Sequence, residues 1–66
     1  MTVTVNGQPR TIVEDASIAA LLAELGLAES RVAVEVNASV IRKSNWPATV
    51  LKENDRVEVV NFVGGG

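Results

Sequence analysis

Sixty-six residues make one small domain whose core is a single layer of contact. The chain holds no cysteine and no histidine, which excludes a disulfide framework, a Cys/His metal site and any Ser/His or Cys/His catalytic arrangement, and mildly favours a reducing compartment. Six basic residues against eight acidic ones give a net charge of -2, a poor match to a nucleic-acid surface; with no secretion-type leader and no membrane-length apolar run, a soluble cytoplasmic protein is expected.

Met1 to Val5 alternates apolar and polar residues and is rich in β-branched side chains, which predicts a strand with Val3 and Val5 inward. Asn6-Gly7 is the dipeptide best suited to the positive φ values of a tight hairpin, so Gln8 to Val13 should return antiparallel, with Pro9 at an edge. A strict two-residue turn sets Val5 opposite Gln8 and Val3 opposite Arg10. Either the loop is longer, or those long stems lie over the rim of the core; the sequence leaves both open.

Asp15-Ala16-Ser17 opens a helix, with Ser17 as the capping residue and Asp15 as its rival. Ile18, Leu21, Leu22 and Leu25 form a one-sided apolar stripe, Ala19, Ala20 and Ala23 raise helix propensity, and Gly26 supplies the left-handed stop onto which Leu27 packs back. So short a helix needs a sheet to cover. Val32, Val34 and Val36 alternate with Ala33 and Glu35 in the clearest strand, and Asn37-Ala38 is a turn before the apolar pair Val40-Ile41. Arg42-Lys43 is a charged step. Ser44 is the expected cap of a single turn through Asn45 and Trp46, restrained by Pro47, with Trp46 as a lid on the core. Thr49 to Leu51 returns to the core, Lys52 to Asp55 turns, and Arg56 to Phe62 is the last strand, with Val57 and Val59 inward.

This order predicts an α+β domain: a small mixed sheet with one main helix packed on one face. The crossover through the helix allows parallel flanking strands, and it allows the first and last strands to be central neighbours.

The last strand runs into Val63-Gly64-Gly65-Gly66. Residues 63–66 are expected to form a flexible tail, spanning roughly 13 Å at about 3.3 Å per residue when extended. Its glycines have no side chains to pack or react; its distinctive group is the Gly66 carboxylate, and it is thin enough to enter a narrow cleft. A reactive terminus and a frayed end both fit these facts. If Val57 and Val59 face the helix, Val60 and Phe62 point to the other face or lie at a bulge; on an uncovered face they would offer, with Val63, an apolar docking patch beside the tail. Val36 and Leu51 join that patch only if their strands turn the same way. Ordinary rim packing is the alternative for Phe62. Arg42 and Lys43 suit a solvated turn or an acidic partner, and Arg56 and Glu58 suit solvent-facing cross-strand positions. Glu14, Asp15 and Asp55 form no paired-carboxylate site, and the glycine run lacks the Lys-Ser/Thr and helix of a phosphate loop.

Val3, Val5 and Asn6, the Ser17 start with its Ile18-Leu21-Leu22-Leu25 stripe, Val34-Glu35-Val36-Asn37, Trp46, Asn54 to Val60 and the tail Phe62 to Gly66 together resemble the ThiS family of bacterial sulfur carrier proteins of thiamine biosynthesis. The resemblance covers essentially the whole chain. The internal motifs are individually weak; a terminal Gly-Gly after such a strand, at this length, is specific. Ile41-Arg42-Lys43 stands where the family usually has a proline near the basic residue, and Asn54 where it often has glycine.

The resemblance implies a ubiquitin-like β-grasp fold and a substrate protein with no catalytic residues of its own. An E1-like adenylating enzyme of the ThiF kind would activate the Gly66 carboxylate with ATP, which that partner binds. A persulfide donor enzyme would supply sulfur, leaving a thiocarboxylate, and a thiazole synthase of the ThiG kind would consume it for the thiazole ring of thiamine. Gly64 and Gly65 would be the recognition segment of the tail. A sulfur carrier of molybdopterin synthase (MoaD-like), a ubiquitin-like protein modifier and a small binding domain with an inert tail are the rival readings. No nucleic-acid, membrane or metal partner is implied.

Overall fold

The computed structural model describes residues 1–62. Its strands are β1 (Thr2–Val5), β2 (Gln8–Thr11), β3 (Val32–Val36), β4 (Ser39–Ile41) and β5 (Arg56–Asn61), with one helix, α1 (Ile18–Leu25). Short 3₁₀ turns occupy Glu29–Arg31 and Lys43–Ala48. The sheet order is β2-β1-β5-β3-β4. β1 and β5 run parallel at the centre, and the other neighbouring pairs are antiparallel. The first and last strands of the chain are thus central neighbours, as the helical crossover allowed.

Two hairpins are set by residues that tolerate positive φ. Asn6 and Gly7 take φ 50° and 82°, the signature of a two-residue type I′ turn. The tight register follows: Val5 pairs with Gln8 and Val3 with Arg10. Val3 is fully buried, while Arg10 stays half-exposed and carries its guanidinium to 3.8 Å from Glu24 on α1. The long stem therefore lies over the rim. Asn37 and Ala38 repeat the turn at φ 51° and 71°. Ala38 carries a Cβ in the region that glycine fills most easily.

Ser17 caps α1, its Oγ accepting from the Ala20 N–H at 3.0 Å, while Asp15 sits in the preceding turn at φ 64°. Gly26 ends the helix at φ 73°, and the Leu27 N–H closes back on the Leu22 carbonyl. Ile18, Leu21 and Leu22 are buried against Val3, Val32, Val34, Val57 and Val59 of the sheet. Replacing Ser17 with alanine should cost about 1 kcal/mol; a thermal melt should show the midpoint falling by roughly 4–8 °C.

The segment after β4 departs from the expected single turn. The 3₁₀ run begins at Lys43, ahead of Ser44, and no side chain caps it. What holds this segment is Trp46, which is buried and donates its indole N–H to the Ile41 carbonyl at 2.9 Å. Thr49 to Leu51 is then tied to the start of the helix: Ile18 N–H donates to Thr49 O, and Leu51 N–H to Ala16 O. No helix among the described residues is long and apolar enough to cross a membrane.

Candidate functional site: the open sheet face and the root of the C-terminal segment

One face of the sheet is covered by α1 and the other is open. Along β5 the strand period of two separates them: Val57 and Val59 are buried, whereas Val60 is 56% and Phe62 53% exposed. Phe62 stands one residue past the end of β5, yet its N–H still donates to the Arg31 carbonyl at 2.7 Å. The pairing of Ala33 with Val60 puts a small side chain beside Val60, so one apolar part of the open face lies at the end from which the chain continues toward Gly66, while Val40, 72% exposed, stands apart from it on β4.

Behind this patch the open face is charged. Glu35 pairs with Glu58 across β3 and β5, and Val40 pairs with Glu35 across β3 and β4. A shallow depression of about 170 Å³ is lined by Glu35, Ala38, Arg56 and Glu58. A second groove, about 360 Å³, lies between the first hairpin and the end of α1, lined by Val5, Asn6, Gln8, Pro9, Arg10 and Leu25. Neither is lined by Val60 or Phe62. Among the described residues no group of three or more Asp or Glu side chains stands ready to hold a metal ion.

Of the residues singled out from the sequence, Val60 and Phe62 are side by side on the open face. Val63, Gly64, Gly65 and Gly66 lie outside the described residues. Val36 and Leu51 do not join the patch: Leu51 is buried in the core, and Val36, paired with Val57, packs against that core from the helix side. The alternation of β3 and the return of residues 49–51 beneath the sheet decide this.

In the sequence Asn6 stands out for its turn and as part of the family resemblance. Its side chain also reaches β5, donating Nδ2–H to the Val59 carbonyl at 3.1 Å and accepting the Val59 N–H on Oδ1 at 2.8 Å. No local pattern announces a contact between residues 53 positions apart.

A crystal structure of the thiamine biosynthesis protein ThiS from Geobacter metallireducens is 39% identical and superposes with a TM-score of 0.86, each chain being covered completely. The thiazole synthases of Magnetococcus marinus and Paramagnetospirillum magneticum are 41% and 36% identical over all 66 residues. The chain spans 20% of the length of each of these two curated relatives. The ThiS family model matches residues 3–66. With a β-grasp sheet, one covering helix and a match that runs through both, the chain belongs to the ThiS family.

Proposed function

We propose that this protein is a sulfur carrier for thiamine biosynthesis, with the Gly66 carboxylate as the group that carries the sulfur. The observation that supports this most is the family match running from Val3 through Gly66, together with end-to-end likeness to a ThiS protein. The two thiazole synthases that contain a segment like this chain support a thiazole synthase as the acceptor of the sulfur.

A free carboxylate resists acyl transfer because oxide is a poor leaving group. Transfer of AMP from ATP to a Gly66 oxygen, with release of pyrophosphate, makes an acyl adenylate. The terminal sulfur of an enzyme persulfide then attacks the carbonyl carbon and expels AMP, forming an acyl disulfide. A thiol reduces the S–S bond, takes the other sulfur into a new disulfide, and leaves the thiocarboxylate. ATP is bound by the E1-like adenylating partner, and the persulfide is held by a separate donor enzyme. The carrier contributes the carboxyl group and the surface by which partners recognise it, and it is not itself an enzyme. Gly64 and Gly65 carry no Cβ, so the backbone around the reacting carboxyl can pass through a confined channel.

Intact-mass measurement after incubation with ATP, a ThiF-like adenylating enzyme and a persulfide donor is the direct test. A gain of about 16 Da, sulfur replacing oxygen, is expected. Conjugates to lysines of other proteins with no such gain would instead identify a protein modifier.

Val60, Phe62 and Val63 are the proposed anchor for the adenylating partner, since an aromatic ring half out of water gains most from being covered. Phe62→Ala should raise KM for this protein in adenylation about tenfold and shift stability by less than about 1 kcal/mol. Pyrophosphate release measured against carrier concentration checks the first effect, and thermal melting the second. Unchanged kinetics in the folded variant would remove Phe62 from the docking surface.

A further inference from the structure

The parallel ladder between β1 and β5 ends early. Thr4 N–H donates to the Asp55 carbonyl and Asn6 N–H to the Val57 carbonyl, each at 2.9 Å. The next carbonyl on that side of β5 is Val59, whose partner in a continuing ladder would be a main-chain N–H two residues beyond Asn6. The main chain is no longer there, because Asn6 and Gly7 turn it back into β2. The Asn6 side chain takes its place and satisfies both the Val59 carbonyl and the Val59 N–H. A primary amide is a side-chain copy of the peptide group, with a donor and an acceptor in one plane.

We infer that Asn6 is a positioning residue: its amide continues the sheet for one more rung and so fixes the part of the chain, Val59 to Phe62, that leads in sequence to Gly66. This role in activation rests on the carrier function proposed above. On its other side the same segment is held by β3 pairing and by the Phe62 N–H on Arg31. Without Asn6 the inner edge of β5 would lose its support three residues before Phe62. Two demands then fall on one residue. It must take a φ of 50° in the turn, and it must bear both a donor and an acceptor at the end of a short side chain. Asparagine meets both.

Asn6→Asp isolates the second demand. Aspartate tolerates the left-handed conformation and keeps an acceptor for the Val59 N–H, but it loses the donor and sets a carboxylate oxygen against the Val59 carbonyl. Asn37→Asp is a matched control at the other end of β5. Asn37 also takes a left-handed turn position, accepts a backbone N–H of β5 (Arg56) and spends its donor on a neighbouring oxygen (Asp55 Oδ1). Both substitutions should lower the melting midpoint. In amide hydrogen exchange, only Asn6→Asp should accelerate Val59 and Phe62, by about tenfold or more. In adenylation by the ThiF-like enzyme, only Asn6→Asp should lower kcat, by about tenfold, with KM rising as well because Val60 and Phe62 lie in the loosened segment. Phe62→Ala, by contrast, is expected to move KM alone.

Equal kcat losses in the two variants would reduce Asn6 to a general stability residue and overturn the inference, as would an unchanged kcat in Asn6→Asp. If the unmodified protein is not adenylated at all, the carrier function fails and exchange alone judges the latch. Selective loss of Val59 and Phe62 protection upholds it, and unaltered protection overturns it.

Discussion

Deletion of Gly66 is expected to abolish thiocarboxylate formation while leaving the domain folded. Among the described residues the buried core runs from Val3 to Val59, and glycine brings no side chain to bury. The deletion withdraws the reacting carboxyl by about 3.3 Å along an extended chain. A misplacement of about 1 Å at a reacting centre can already cost on the order of a hundredfold in rate, so a loss beyond that is expected. The comparison is between intact masses of the two proteins after the same incubation with ATP, adenylating enzyme and persulfide donor. The full-length chain should gain about 16 Da and the shortened one nothing, with identical melting curves. A shortened chain that acquires sulfur at the normal rate would separate the chemistry from Gly66.

Trp46→Ala should have the largest effect on stability. Trp46 is the largest buried side chain of the domain and is essentially without solvent contact. It closes the core beneath a 3₁₀ turn that has no capping side chain of its own. Truncating a buried Trp costs about 3–5 kcal/mol, and the Ile41 carbonyl loses its indole donor as well. A domain of 66 residues has roughly 3–10 kcal/mol in total. Much of the Trp46→Ala population should therefore be unfolded at room temperature, seen as lost amide dispersion and an early, broad melt. Trp46→Phe, which fills most of the space and lacks only the donor, should melt between the two. A Trp46→Ala protein with a normal melting midpoint would show that this turn is not part of the cooperative unit.

Local chemistry made most elements legible. Asn6-Gly7 marked the first hairpin turn, because few other pairs accept two positive φ values, but the tight register between β1 and β2 was settled only by the structure. The Ser17 cap, the Ile18-Leu21-Leu22-Leu25 stripe and the Gly26 stop bounded α1 to within a residue. Alternation of valines placed Val57 and Val59 inward and Val60 and Phe62 outward. The six-residue 3₁₀ run escaped, because it is held by Trp46 reaching back to Ile41 rather than by Ser44.

By itself, then, the sequence determined where the chain turns, the helix and its limits, which valines turn inward, the glycine tail and the family. Those properties depend on neighbours within a few positions, or on a pattern carried along the whole chain. Tertiary structure alone decided three things: that Leu51 closes the core rather than widening the open face, that Arg10 lies over the rim beside Glu24, and that Asn6 supports β5 at Val59. Each joins segments far apart in the chain. The Asn6 contact exists only after parallel pairing brings β1 beside β5, the other two only after α1 has packed on the sheet, and no spacing of residues along one strand encodes them.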